Sequence, residues 1–152
     1  MSKTSKILIL SILFFLLIAV RAFLQPYFYD PLIDYFKFDY LQTSIPEINY
    51  TRYFLNILLR FLINTIISLA IISLLIEERK AVVFSIKFYV FSFITLSIIL
   101  YILLKYNGEE SKMLLFYVRR FLIQPLFLFI LLPAFYYQKL KLKEVKHKKK
   151  SR

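Results

Sequence analysis

The chain has 152 residues, 60% of them hydrophobic and 19% aromatic, with 21 Lys and Arg against nine Asp and Glu for a formal net charge of +12. A water-soluble domain of this size cannot bury so much apolar surface, so the composition points to lipid as the solvent. The absence of Cys excludes disulfides, thiolate catalysis and thiolate metal sites.

Apolar runs bounded by charge fall at roughly 7 to 24, 53 to 76, 82 to 104 and 113 to 137, each long enough to cross a hydrocarbon core of about 30 Å. They predict an all-α, polytopic membrane protein with four transmembrane helices. The runs are continuous and lack the alternation of a membrane barrel. Residues 1–138 form the transmembrane domain and residues 139–152 a basic cytoplasmic tail.

In the first run, Lys3 and Lys6 precede an apolar stretch from Ile7 to Val20, as in a secretory signal. No small-x-small site follows; Arg21, Phe23 and Gln25 come instead, which reads as an uncleaved anchor. Next comes YFYDPLIDYFKFDY, residues 27 to 40. Its apolar positions after Pro31 fit a short interfacial helix in the first outer loop, with Tyr and Phe at headgroup level.

The second run places Arg60, Asn64 and Ser68 four residues apart, on one helix face. In the third, Lys87 lies about two turns from the start, within snorkelling reach of the headgroups. The fourth contains FYVRRFLIQPLFLFILLPAFYY, residues 116 to 137. There Arg120 and Gln124 share a face, as Arg21 and Gln25 do at the end of the first run, whereas Arg119 and Arg120 point about 100° apart. Pro125 removes a backbone donor, so a kink is expected near Gln124.

Lys and Arg set the orientation. With both termini cytoplasmic, that side holds Lys3, Lys6, Arg79, Lys80 and the tail residues Lys139, Lys141, Lys143, Lys146, Lys148, Lys149, Lys150 and Arg152. The other side holds only Lys37, Arg52, Lys105 and Lys112, so the positive-inside rule favours both ends inside. The outer loops carry Asp30, Asp34, Asp39, Glu47, Glu109 and Glu110. The tail KLKLKEVKHKKKSR reads as a topology signal that also rests on anionic phospholipids. Without an aromatic platform it gives no case for nucleic-acid binding.

A central arginine costs about 2.5 to 3.5 kcal/mol on an insertion scale, while each Leu, Ile, Phe or Val returns about 0.3 to 0.6. The fifteen such apolar residues of the fourth run therefore roughly balance its two arginines. Counted from the outer entry at 1.5 Å per residue, Arg119 and Arg120 lie about 9 to 11 Å deep. Arg60 sits at a similar depth and Arg21 is shallower. Two readings stay open. The arginines snorkel to lipid phosphates while Asn64, Gln124 and the serines join helices, or Arg21, Arg60, Asn64, Arg119, Arg120 and Gln124 form an outer polar pocket for an anion or an acidic partner. Asp30 and Asp34 are candidate partners of these arginines, an aromatic belt with solvated acids being the alternative.

Catalytic equipment is missing from the sequence. There is no phosphate-cradling glycine loop, metal-ligand cluster or nucleophile–base set, and the one histidine, His147, sits in the lysine-rich tail. The expectation is a protein that is not an enzyme and carries no metal or cofactor. No internal period supports an inverted-repeat transporter.

RAF at 21 to 23, FYDPL at 28 to 32, Arg60 with Asn64, and FYVRRFLIQPLFLFILLPAFYYQ at 116 to 138 resemble the small exosortase F system-associated membrane proteins of flavobacteria and other Bacteroidetes, over most of the chain. The resemblance implies a bacterial inner-membrane location and an accessory role beside an exosortase, a membrane enzyme that processes proteins bearing a C-terminal sorting signal with a Cys, an Arg and a His. It supplies no catalytic residue, and the lack of Cys fits a helper. The expected function is a non-enzymatic accessory whose outer arginine site docks the partner enzyme, the sorting signal or an anionic lipid. The alternative is a small transporter or lipid-handling protein that coordinates an anionic solute.

Overall fold

The computed structural model describes residues 3–38, 44–107 and 110–150, with side chains for 3–38, 44–106 and 110–142. The loop acids Asp39 and Glu109 and the terminal Arg152 lie outside the described residues, as do the tail side chains from 143 onward, His147 included. Every regular element among the described residues is helical. They are α1 (Lys3–Phe23), a 3-10 turn (Gln25–Tyr27), α2 (Leu32–Lys37), α3 (Tyr50–Ile76), α4 (Arg79–Ile102) running into a π-helical turn (Leu103–Asn107), α5 (Lys112–Ile123) and α6 (Leu126–Lys150).

The third helix is the centre of the bundle and touches α1, α4, α5 and α6. Its stretch has neither Gly nor Pro to interrupt it, and the Asn49 side chain caps its start by accepting the Arg52 backbone N–H at 3.1 Å. Tyr53, Ile57, Arg60, Phe61, Asn64, Thr65, Ser68, Ile71, Ile72 and Ile76 are its buried positions. Spacings of three and four, with adjacent pairs at 60/61, 64/65 and 71/72, put them on one broad seam. The aromatic content is spent across this seam: Phe61 meets Tyr89 at 5.9 Å and Phe93 at 4.8 Å, and Tyr89 meets Phe127 of α6 at 5.8 Å, within the range of favourable ring pairs.

By contrast α1 buries only Leu17. Ile7, Leu8, Ile12, Phe15 and Ile18 stand exposed, an apolar stripe that calls for lipid or another apolar surface to cover it. Helices α1, α3 and α4 with its π turn are each long and apolar enough to cross a membrane. The fourth apolar run qualifies only as a bent pair, α5 and α6 meeting at 67°, so the described residues hold three such spans, or four if the pair counts as one. This is compatible with a membrane protein.

The bend falls at Gln124, whose backbone is extended (φ −116°, ψ 150°). Pro125 cannot donate to the preceding turn, and α6 restarts with the Leu128 N–H donating to the Pro125 carbonyl at 3.2 Å. A break in a buried helix strands carbonyls that need donors. The Asn64 amide supplies one, donating from Nδ2 to the Ile123 carbonyl at 3.1 Å.

At the opposite end α3 stops at Glu77, which adopts a left-handed conformation (φ 59°, ψ 21°), a state that costs a residue with a Cβ about 1 to 2 kcal/mol. Glu78 then stands at the position before the first residue of α4, without a side-chain capping bond, so two residues join the central helices. Lys6 of α1 pairs with Glu77, and Lys139 of α6 donates to the Ile76 carbonyl at 3.0 Å, satisfying one of the free carbonyls of the α3 terminus. The start of α1 and the basic half of α6 thus meet at the same end of the bundle.

Candidate anion-binding site

The other end is closed by residues 28–37. Asp30, its side chain 2% exposed, accepts from Arg60 Nη1 at 3.0 Å and from Arg119 Nε and Nη2 at 3.2 and 2.6 Å. Each arginine is 6% exposed. One carboxylate is thus held by guanidinium groups from α3 and α5, bidentately on the α5 side, the strong geometry for this pair. Removing either kind of partner would leave charge buried without compensation, at about 3 to 5 kcal/mol.

Local chemistry explains how the loop reaches this position. Pro31 starts α2 and Leu32 behind it is fully buried, anchoring the segment as an apolar plug. The Tyr29 N–H donates to Asn56 Oδ1 at 3.1 Å, and the Arg52 guanidinium lies over the Tyr29 ring at 4.7 Å. Arg60 lies over Phe28 at 5.3 Å and Arg119 over Phe36 at 5.7 Å, so each buried guanidinium has a carboxylate at its edge and a ring on its face. Phe36 packs on Phe116 of α5 at 5.2 Å. The buried Tyr53 phenol sits beside the same cluster.

A cavity of about 240 Å³ opens against this cluster. Its polar lining is Arg21, Gln25, Lys37, Arg60, Arg119 and Gln124, with no carboxylate among the described residues. Asp30 lies behind the lining and compensates one of the four positive charges. Arg21 and Lys37 are exposed and make no hydrogen bond or ion pair with any described residue. The cavity therefore presents an excess of N–H donors and positive charge, the electrostatic complement of an anion.

Each residue expected from the sequence has a definite place. Arg21, Arg60, Arg119 and Gln124 line the cavity together, and Asp30 is the buried counter-ion. Asp34 is exposed and pairs with none of these arginines, because α2 turns Leu32 and Tyr35 inward instead. Arg120 lies outside the cavity, exposed, donating from Nε to Gln124 Oε1 at 3.0 Å. That bond engages the Gln124 oxygen, and Gln124 itself lines the cavity. Asn64 lies beneath the cavity and braces the helix break. Lys37, Asn56 and the ring platforms Phe28 and Phe36 were not singled out from the sequence. The aromatic spacing of FYDPLIDYFK is the one signal that could have found the platforms. In comparisons with known proteins, no family model matches the chain, no curated protein matches it in sequence, and no solved structure matches it in fold.

Proposed function

We propose that the chain is a four-pass protein of a bacterial inner membrane, with α5 and α6 making the fourth crossing, α2 at the outer interface and both ends cytoplasmic. The distribution of Lys and Arg supports this orientation, as does the meeting of the α1 start with the basic half of α6. On this reading the protein is a non-enzymatic accessory of an exosortase-type protein sorting system. Its outer cavity receives an anionic group of that machinery, on the partner enzyme, on the sorting signal or on a lipid. The observation that carries the reading is a cavity lined, among the described residues, by four cations and no acid, with the buried Asp30 already held by two of them. The sorting association rests on the resemblance of the 116–138 motif.

The test is co-purification from native membranes with mass spectrometry, comparing the parent with Arg21→Gln/Lys37→Gln. Both side chains are exposed and unpaired, so the variant inserts and folds. Loss of a membrane-bound sorting enzyme from the variant's eluate is the expected result, and an undiminished yield overturns the docking role. The 67° break beside the cavity favours a second reading, a small transporter of an anionic solute, since interrupted helices commonly frame such sites. Uptake of an anion into vesicles holding the pure protein would select it.

A further inference from the structure

We infer that the group this cavity takes is a phosphate, a phosphomonoester or its inorganic equivalent, and not a carboxylate. The inference rests on the reading of the cavity as an anion receptor and names the chemical class it receives. Three features of the site lead there.

The first is charge. Four cations line the cavity and one carboxylate lies behind them, which leaves three positive charges facing the opening. A carboxylate balances one. A phosphomonoester carries about −1.5 to −2 at neutral pH and balances most of the remainder.

The second is geometry. A planar carboxylate is best met by the flat fork of an arginine, and the fork of Arg119 is already taken by Asp30 through Nε and Nη2. What remains is a ring of donors on different elements: the unoccupied guanidinium of Arg21 and Gln25 beside it, Lys37 at the end of α2, the nitrogens of Arg60 that Asp30 does not engage on α3, and Arg119 and Gln124 at α5; a carboxylate on the Arg21 fork would leave the others unmet. Donors arriving from several directions suit three oxygens in a tetrahedral arrangement, where two coplanar oxygens would leave several unmet.

The third is size. A space of about 240 Å³ falls below the roughly 300 to 1,000 Å³ of sites that enclose a whole drug-sized ligand. It admits a small headgroup and its waters, with any remainder of the molecule outside. The rings of Phe36 and Phe116 form part of the wall.

Two sources offer this chemistry, a lipid bearing a terminal phosphate and a soluble phosphate. The experiment uses the full chain in an uncharged detergent, titrated calorimetrically with inorganic phosphate and separately with acetate. Phosphate is expected to bind at least about ten-fold more tightly than acetate, and Arg21→Gln/Lys37→Gln to weaken phosphate by about ten-fold or more while leaving the helical circular dichroism unchanged. Equal affinity for the two anions overturns the phosphate assignment and leaves the anion receptor standing. Binding of neither overturns both, and phosphate affinity untouched by the double variant places the ion elsewhere and overturns the site. The source is read in phosphatidylcholine nanodiscs with and without phosphatidic acid: competition with inorganic phosphate identifies the lipid, and its absence identifies the soluble ion.

Discussion

The two ends of the bundle each hold an ion pair, and the pairs are energetic opposites. At one end Asp30 is enclosed by Arg60 and Arg119 with almost no solvent contact. At the other, Lys6 and Glu77 meet in the open, with side chains 28% and 63% exposed. Solvent-exposed pairs contribute little because water competes for both partners, whereas a buried pair cannot lose a member without stranding the rest. The contrast teaches that the 28–37 segment is held as part of the core, although its composition is that of a loop.

The strongest way to break the comparison is Asp30→Ala. It leaves two nearly buried guanidinium groups without their counter-ion, and stability in detergent is expected to fall by about 3 to 5 kcal/mol, read as a lowered midpoint of unfolding. A triple replacement, Asp30→Leu with Arg60→Met and Arg119→Leu, exchanges the ionic cluster for apolar groups and is expected to recover most of that loss. Failure to recover would show that the cluster fixes the loop's position by more than charge balance.

An intermediate effect is expected from Asn64→Ala, which removes the donor to the Ile123 carbonyl and leaves that oxygen unsatisfied at about 1 to 3 kcal/mol. The same unfolding measurement checks it, and a midpoint equal to the parent's would mean that another group braces the break.

The smallest effect belongs to the exposed pair. The Lys6 hydrogen bond, and after it the Lys6 charge, holds the Glu77 carboxyl below its ordinary range. A lowered carboxyl pKa adds stability that is present above the unfolded value of about 4.3 and is lost as pH falls through the folded one. Parent and Glu77→Gln are therefore expected to differ slightly at pH 7 and to converge in acid. A difference that grows on acidification would reverse the sign and remove the pair from the account.

Much of this was legible in the residues. Apolar run lengths gave the helices, Pro125 gave the bend, and the four-residue step from Arg60 to Asn64 gave a polar face on the central helix. The site was harder to read because its geometry depends on rotation about helix axes that contact partners decide. Arg119 and Arg120 are adjacent and equally charged, yet α5 buries Leu115, Val118, Arg119 and Leu122, and that seam alone turns Arg120 out. Likewise Asp30 and Asp34 lie four apart, and the burial of Leu32 and Tyr35 decides which one reaches the arginines. Lys37 entered only as an outer-side charge, because nothing in its sequence neighbours marks it as belonging with Arg21, 16 positions before it, or with Arg60 and Arg119, 23 and 82 after.

The two-residue connection between α3 and α4 acts as a ruler. Glu77, Glu78, Arg79 and Lys80 are all exposed and fasten that corner to an aqueous boundary. Arg60 stands seventeen positions earlier on an uninterrupted helix, about 25 Å along the axis. In a bilayer with an apolar slab of about 30 Å, that distance sets the guanidinium just beneath the far surface. Lengthening α3 by one turn below Arg60 would move its guanidinium about 5.4 Å along the axis relative to Arg119 of α5, and the grip that the two share on Asp30 would be lost.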